Sequence, residues 1–244
     1  MAQAIVTVEE LNKSYGSHKV INALSFSIGE GERMAVFAPS GAGKTTLIKI
    51  LAGLEKPDSG CVFLSDPDEV TVFQEPRLFP FLTIEENILL PFKIKNRSIT
   101  PEVQQRFNDW LELCELGESV HYYPYQLSGG MRQKAALIRG LLGQPRFIML
   151  DEPFQSINYA AKNAIISHIV NHMPDLSLLF VTHIAEEIPL LAQTVLFFTN
   201  SCLTHPEQMD AESLQEKLLN SNPVFISDEN NRTFLQNVKK KETL

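Results

Sequence analysis

The stretch "AVFAPSGAGKTTLIK", residues 35–49, decides the fold of this chain. Gly43, Lys44 and Thr45 match the end of the phosphate-binding pattern G-x-x-x-x-G-K-[ST], whereas Ala38 stands where that pattern has glycine. The apolar run "RMAVFA" predicts a strand before the loop, and "KTTLIKILAGL" predicts a helix after it that Gly53 caps. This order of strand, loop and helix favours a phosphate site over a plain glycine-rich turn.

The backbone of this loop carries the predicted phosphate chemistry. Its successive N–H groups can form a concave nest for phosphate oxygens, and the helix that follows adds its positive end. Lys44 is predicted to reach the β- and γ-phosphates of ATP, and the Thr45 hydroxyl to bind Mg²⁺. Ala38 costs little if its φ is negative, and about 1 kcal/mol if its φ is positive. The predicted phosphate contacts are Ser40, Gly41, Ala42, Gly43, Lys44, Thr45 and Thr46.

A pair of carboxylates follows a second buried strand, in "RFIMLDEPF", residues 146–154. Four apolar residues lead to the carboxyl end of this strand, which is where α/β sheets bind their ligands. Asp151 is predicted to hold Mg²⁺, and Glu152 to polarise the water that attacks the γ-phosphate. The alternative is an Asp-Glu pair that only caps a helix after a core strand, and the phosphate loop favours the catalytic interpretation.

The most specific motif is "LSGGMRQ", residues 127–133. Ser128, Gly129 and Gly130 are predicted to open a helix, which gives a second anion-binding end. With this motif the sequence resembles the nucleotide-binding subunits of ABC transporters. The resemblance implies that these three residues and Gln133 face the ATP bound to the opposing subunit of a head-to-tail homodimer. A glycine turn that only starts a helix is the alternative.

The same resemblance assigns roles to three further residues. It implies that Tyr15, in "KSYG", stacks on adenine, and that Gln74, in "VFQEPRLFPFLT", contacts metal and water. It also implies that His183, in "LFVTH", contacts the γ-phosphate. By residue type alone, such an aromatic residue and a lone histidine are more often core residues. The implied catalytic residues are Glu152, His183 and Gln74, and the implied metal ligands are Thr45, Gln74 and Asp151.

Within the family, "FQEPRLFPFLTIEENI" and "YPYQLSGGMRQKAALIRGLL" look most like the importers of the nitrate/sulfonate/taurine type. The chain also departs from the family pattern at several positions. Besides Ala38, Asn158 stands where an aspartate is common, and Ile184 follows His183 where an acidic residue is frequent. The segment between Gly60 and Gln74 is also short. These departures leave the nucleotide contacts standing and put the hydrolysis rate in question.

The order of predicted elements indicates an α/β fold: a P-loop NTPase core with a mainly parallel sheet, an N-terminal antiparallel β portion and an inserted helical subdomain. "HKVINALSFSIGEGE" predicts a pair of strands that turn at Gly29 and Gly31. "IEENILLPF" and "PEVQQRFNDWLELCEL" predict helices, the second with one apolar face. We predict an ATP-binding domain over residues 1–205, with the helical subdomain at about residues 78–140. A short C-terminal tail, residues 206–244, contains a predicted helix in "AESLQEKLLN".

Composition narrows the class of protein further. The formal net charge of −8 disfavours nucleic acid as a partner, and the run Lys239-Lys240-Lys241 is interpreted as a solvated tail. Three widely spaced cysteines predict a reducing cytosol, and no apolar run approaches the roughly 20 residues that span a bilayer. The N-terminus lacks the layout of a signal peptide. His168 and His172, at i, i+4, are predicted to be ordinary residues on a helix surface rather than metal ligands.

The leading hypothesis is the ATPase subunit of an importer, a cytoplasmic protein held on the inner face of the membrane by a permease. Its expected partners are a second copy of this chain, that permease and a solute-binding protein; its expected ligands are ATP and Mg²⁺. The alternatives are a soluble ABC ATPase without a transport role, for example in cofactor assembly, and an exporter subunit. A third is a regulatory subunit with weak turnover, suggested by Ala38 and Asn158.

Overall fold

A computed structural model describes residues 4–65, 69–219 and 231 of the 244-residue chain. The contacts divide the chain into two compact units, residues 1–67 with 175–244 and residues 68–174. The Lys239-Lys240-Lys241 run and most of the predicted tail lie outside the described residues. In chain order the elements are β1 (Ala4–Tyr15), β2 (His18–Gly29), β3 (Arg33–Phe37), α1 (Lys44–Leu51), β4 (Ser59–Leu64), β5 (Val70–Val72), α2 (Ile84–Ile94), α3 (Pro101–Leu113), α4 (Gly129–Leu141), β6 (Phe147–Asp151), α5 (Tyr159–His172), β7 (Ser177–Thr182), α6 (Ile188–Leu191), β8 (Thr194–Phe197), β9 (Glu207–Asp210) and α7 (Leu214–Leu219).

The first unit contains the predicted antiparallel portion, a sheet in the order β2-β1-β4. Burial alternates along parts of β1, at Val6 and Val8 and again at Leu11 and Lys13, as expected for a strand that covers a core with one face, and the alternation shifts at Glu9 and Glu10. One prediction is wrong: "HKVINALSFSIGEGE" is not a strand pair, because residues 18–29 form the single strand β2 and pair with β1. The hairpin turn lies at Gly16 (φ 60°), whereas the turn at Gly29 and Gly31 leads on to β3.

The same unit contains a second group of strands in the order β7-β3-β8-β9. Strands β7, β3 and β8 are parallel, and the central strands are buried on both faces, which explains their unbroken apolar sequences. Strand β9 is antiparallel to β8 and falls in the predicted tail, so the first residues of that segment belong to the sheet. The predicted helix in "AESLQEKLLN" is present as α7, after a short 3₁₀ turn at Ala211–Ser213.

Helix α1 ends at the predicted glycine. Gly53 has a left-handed backbone (φ 65°), and its N–H donates to Ile50 O at 3.0 Å. The N–H of Leu54 donates to Lys49 O at 2.8 Å, which completes a Schellman motif and satisfies carbonyls at the helix end. The predicted cap is confirmed.

The second unit consists of a parallel strand pair, β5 and β6, and the helices α2 to α5. Helix α4 approaches β5 closely at Gly140, where an added Cβ would lie 2.8 Å from Val72 Cγ2. Helices α2 and α3 confirm the predicted helical segment, and both begin with a threonine N-cap. The predicted apolar face of α3 is buried; it comprises Val103, Phe107, Trp110 and Leu111.

A buried lysine and a buried cysteine join α3 to α4. The Lys134 ammonium donates to Cys114 O at 2.9 Å, at the carboxyl end of α3, where the helix dipole favours a cation. Burial raises the pKa of the Cys114 thiol to about 12. This cysteine is therefore an inert thiol of the core at neutral pH.

His168 and His172 lie on α5 and their rings stack on each other, with centroids 4.4 Å apart. The His168 ring also packs against Trp110 of α3 at 4.4 Å. Desolvation, and then the neighbouring His172, lower the pKa of His168, so its neutral form is favoured in the fold. These contacts give the pair a role in packing α5 against α3. Within the described part of the chain, no helix is both long and apolar enough to cross a membrane.

Candidate functional site

The phosphate loop has the backbone that a nest requires. Gly41 (φ 78°) and Gly43 (φ 100°) are left-handed, and they alternate with residues that are not. Gly43 cannot be replaced without strain, because an added Cβ would lie 2.2 Å from Val20 Cγ1. Gly43 is the N-cap of α1 without a side-chain cap, and the first turn of α1 carries no acidic residue. The positive end of the helix is therefore not offset by a carboxylate of its own.

Ala38 is compatible with this loop. It is not among the residues with a positive φ, and it follows β3 with only 1% of its surface exposed. Alanine therefore adopts the backbone found here without the strain that a left-handed position would impose. The deviation from the pattern falls at a position where glycine is not needed.

Lys44 is buried at the start of α1, with its charge directed back into the loop. Its ammonium donates to Ala38 O at 3.0 Å and to Pro39 O at 3.1 Å. These carbonyls orient the cation at the loop, so the side chain does not have to be ordered when an anion binds. Thr45 and Thr46, in the first turn of the same helix, are half-buried.

His183 lies at the same edge of the sheet as the loop. Strands β3 and β7 are parallel with Phe37 opposite Thr182, so Ala38 and His183 leave the sheet side by side. The Thr182 hydroxyl donates to Glu187 Oε2 at 2.9 Å and accepts the N–H of Ile184 at 3.0 Å. These two hydrogen bonds tie the Ile184 backbone and the Glu187 side chain to Thr182 at the end of β7, and so join the residues on either side of His183 in the loop.

Tyr15 is the predicted adenine platform in the first unit. It ends β1 with 49% of its surface exposed, and the Lys13 ammonium lies 5.2 Å from its ring centroid. A hydrogen bond with Glu55 raises the pKa of Lys13 and fixes the cation in place. Tyr15 thus presents an exposed, supported ring, which is suited to stacking.

In the second unit, the register of β5 and β6 brings Gln74 and the acidic pair together. Val72 of β5 is opposite Leu150 of β6. Gln74 follows the carboxyl end of β5, and Asp151 and Glu152 lie at the carboxyl end of β6. Gln74 Nε2 donates to Gln155 Oε1 at 2.7 Å. This hydrogen bond uses the amide nitrogen of Gln74 and does not involve its amide oxygen. The Gln74 amide oxygen and the Asp151 carboxylate of this unit are oxygen ligands of the kind that Mg²⁺ takes.

Glu152 has an unusual backbone for its residue type. Its φ is 45°, in the left-handed region that a non-glycine residue occupies at a cost of about 1–2 kcal/mol. Asp151 before it is buried, whereas Glu152 is half-buried and faces a different environment. Strained backbone of this kind is concentrated at functional sites, where it fixes the direction of a side chain.

The "LSGG" motif starts helix α4. Ser128 is the N-cap, and its hydroxyl oxygen accepts the Met131 N–H at 3.2 Å. An added Cβ on Gly130 would lie 2.4 Å from Ser156 O, so the helix start packs directly on the segment after Glu152. Gln133 is only 3% exposed, so a contact with nucleotide requires its side chain to turn away from this position.

Replacing Gly130 with alanine is expected to destabilise the fold by about 1–3 kcal/mol, because the new methyl group overlaps the Ser156 carbonyl. Gly129→Ala is the matched control, since nothing lies within 4 Å of its added Cβ. Urea unfolding without nucleotide measures the difference. Equal stabilities for the two variants would contradict the packing of α4 on Ser156.

Asn158 has a structural role in the second unit. It is the N-cap of α5, and its Oδ1 accepts the Ala161 N–H at 2.9 Å. Asparagine and aspartate cap helices about equally well, so folding does not distinguish them. An aspartate at position 158 would carry a negative charge near Glu152 in the sequence, and asparagine does not.

The structure thus groups the predicted residues by unit. The loop, Tyr15 and His183 lie in the first unit; Gln74, the acidic pair and the "LSGG" motif lie in the second. Sequence reasoning missed the residues that hold these side chains, namely Gln155, Ser156 and Glu187. Their residue types carry no signal, because each acts through one hydrogen bond or one close approach of the backbone.

The chain is similar to ATP-binding subunits of known importers. Residues 21–155 match the ABC transporter family. The probable sulfate/thiosulfate import ATP-binding protein CysA of Chlorella vulgaris is 34% identical over 207 residues, which cover 80% of this chain and 87% of that protein. The spermidine/putrescine import ATP-binding protein PotA of Nitrosospira multiformis is 30% identical over 222 residues, covering 86% of this chain but only 60% of its own length.

A solved structure adds a third comparison: a dimeric, post-hydrolysis ATP-binding cassette bound to ADP and Pi. It is 26% identical, with a TM-score of 0.72, and covers 83% of this chain and 98% of that chain. The fold is that of a cassette ATPase of the α/β class. Since the family match spans more than half of the sequence, the chain belongs to the ABC transporter family. It corresponds to the ATP-binding subunit, the component that hydrolyses ATP for transport.

Proposed function

We propose that this chain powers a solute importer as one half of a homodimer that closes on ATP and reopens after hydrolysis. The observation that carries the proposal is the phosphate loop. Two left-handed glycines and the buried Lys44 stand before a helix start that has no carboxylate of its own. An anion with several oxygens is the ligand that such a backbone binds best.

Binding of ATP uses the first unit. The nest takes the phosphate oxygens, Lys44 turns its ammonium toward the β- and γ-phosphates, and Tyr15 stacks on the adenine. Lys44 already donates to two carbonyls of the loop, so it moves little when phosphates arrive. The folded protein therefore already orders most of this site before ATP binds, which reduces the conformational entropy lost on binding.

Hydrolysis needs a positioned water and a contact to the γ-phosphate. Glu152 orients and polarises the attacking water, and His183 contacts the γ-phosphate. Mg²⁺, when bound, neutralises phosphate charge, and the Thr45 hydroxyl, the Gln74 amide oxygen and the Asp151 carboxylate would hold it. The left-handed backbone of Glu152 aims its carboxylate, which is what a water-positioning residue needs.

The "LSGG" motif serves the nucleotide of a second copy. Its helix start is exposed at Ser128 and Gly129, which lets it meet a partner's phosphates. The cassette bound to ADP and Pi is a dimer, which supports a homodimer here. In this arrangement the two chains pair head to tail, with ATP at the interface and Gln133 contributing after its side chain reorients.

A permease is the proposed membrane partner. The segment after Gln74 exposes large apolar side chains, with Phe79 52% and Phe81 89% exposed. Asn87 holds this segment rigidly, since its amide bonds to Phe79, Leu82 and Thr83. A rigid segment with exposed aromatic rings is suited to a protein contact. We place the dimer on the inner face of the membrane, with a solute-binding protein in the same system.

The type of importer rests on sequence resemblance. "FQEPRLFPFLTIEENI" and "YPYQLSGGMRQKAALIRGLL" support the nitrate/sulfonate/taurine type. The relatives described above are named for sulfate or thiosulfate and for spermidine or putrescine, and do not bear that type's name. Partner chains select the solute, so the assay must include all of these solutes.

The test is an uptake screen in the source organism with the gene deleted. Labelled nitrate, taurine, sulfate and spermidine are offered to the deletion strain and to strains complemented with wild type or Lys44→Ala. We expect uptake of one solute to be lost and to return only with wild type. Unchanged uptake of all four solutes would overturn the assignment of this chain to an importer of any of these solute types.

A further inference from the structure

The loop that carries His183 is bonded to a residue far away in the sequence. Asn231, the one described residue beyond residue 219, is 2% exposed. Its Nδ2 donates to His183 O at 2.9 Å, and its Oδ1 accepts the Ala185 N–H at 2.8 Å. A single side-chain amide thus grips the backbone on both sides of Ile184.

Asparagine is chemically suited to this grip. A carboxamide offers a donor and an acceptor on one rigid plane, so it can bond a carbonyl and an N–H of the same short loop. Aspartate has the same shape but only acceptors when ionised. Burial makes the two bonds stronger and makes an unmatched group costly.

The Asn231 amide adds to the hydrogen bonds that already hold the loop carrying His183. Thr182 and Glu187 fix it from within, through the two hydrogen bonds of the Thr182 hydroxyl. Asn231 adds the contact from outside, at the carbonyl of His183 itself. The backbone on both sides of Ile184 is therefore held partly by Asn231.

We propose that Asn231 is a positioning residue for His183 and thereby sets the rate of hydrolysis. The proposal rests on the proposed contact of His183 with the γ-phosphate. Asn231 touches no substrate and acts only through the loop. A small displacement of a catalytic group lowers the rate much more than it lowers binding, because the transition state is the more demanding of geometry.

The test compares Asn231→Ala and Asn231→Asp with Asn22→Ala, using the full-length chain. Asn22 donates to Thr204 in the same unit and is not bonded to the His183 loop. Asn231→Ala is expected to lower kcat about tenfold or more with KM for ATP unchanged. Asn231→Asp, which places a carboxylate oxygen against the His183 carbonyl, should be at least as slow as Asn231→Ala. Asn22→Ala should match wild type in both constants.

A double-mutant cycle separates positioning from a general structural role. In a His183→Ala background, Asn231→Ala should cost nothing further in kcat, because the group it positions is gone. Losses that add in full would overturn the proposal, and so would an unchanged kcat in the single variant. A fall in ATP affinity equal to the fall in kcat would also overturn it.

Hydrogen exchange keeps this test independent of the proposed function. Asn231→Ala is expected to speed amide exchange in residues 182–187 relative to wild type and Asn22→Ala. Unchanged exchange would refute the positioning role even if ATP hydrolysis is confirmed. If Asn231→Ala exchanges faster but the wild type itself shows no ATP turnover, the hydrogen bonds of Asn231 to the loop stand and only their link to hydrolysis is refuted.

Discussion

Lys44→Ala is expected to abolish ATP binding at concentrations that saturate the wild type. The change removes the only lysine of the loop, which is buried and donates to Ala38 O and Pro39 O. The phosphates then lose a charge-assisted contact. A loss of about a hundredfold or more corresponds to about 3 kcal/mol of binding free energy. Titration with a fluorescent ATP analogue measures it.

The matched control for this prediction is Lys49→Ala. Lys49 lies in the last turn of the same helix, so the variant has the same change of charge and the same helix. We expect it to bind ATP as the wild type does. Thermal unfolding of both variants without nucleotide separates a binding defect from a folding defect. Wild-type affinity in a folded Lys44→Ala variant would contradict the phosphate-loop assignment.

The second large effect is expected from Glu152→Gln, which should lower ATP hydrolysis by about 10²–10⁴-fold while ATP still binds. Glutamine has the size of glutamate and tolerates the same left-handed backbone, but cannot accept a proton from water. The closed state should therefore persist. Phosphate release gives the rate, and size-exclusion chromatography with light scattering detects ATP-dependent dimers.

Glu112→Gln is the control, because Glu112 is an exposed residue on α3. It should hydrolyse ATP at the wild-type rate and show no stable dimer. Turnover of Glu152→Gln within twofold of wild type would remove Glu152 from its role. Loss of turnover without ATP-dependent dimers would instead contradict the head-to-tail homodimer.

Local chemistry explains why much of the site was predictable. The phosphate loop, the acidic pair and "LSGG" combine glycine freedom, charge and helix starts within a few residues, so their geometry follows from the sequence. The α/β class was predictable because buried strands and amphipathic helices have distinct periodicities. Gly53 as a helix cap belongs with them, since its left-handed backbone depends only on its neighbours.

Other features depend on tertiary contacts that the sequence does not display. "HKVINALSFSIGEGE" was interpreted as two strands, but β1 supplies the partner and residues 18–29 stay one strand. The effect of Ala38 depended on a backbone angle, which the structure gives as not positive. The grip of Asn231 on the His183 loop joins residues 48 apart, and no pattern in the sequence marks it.

The most direct measurement of the central claim is Mg²⁺-dependent release of phosphate from ATP by the purified chain with its permease in lipid nanodiscs. We predict steady-state turnover of about 0.1–10 s⁻¹, in the lower range of ordinary enzymes. Lys44→Ala and Glu152→Gln should reduce this rate to background. Phosphate release by the wild type no faster than by Lys44→Ala would contradict the assignment of this chain as an ATPase subunit.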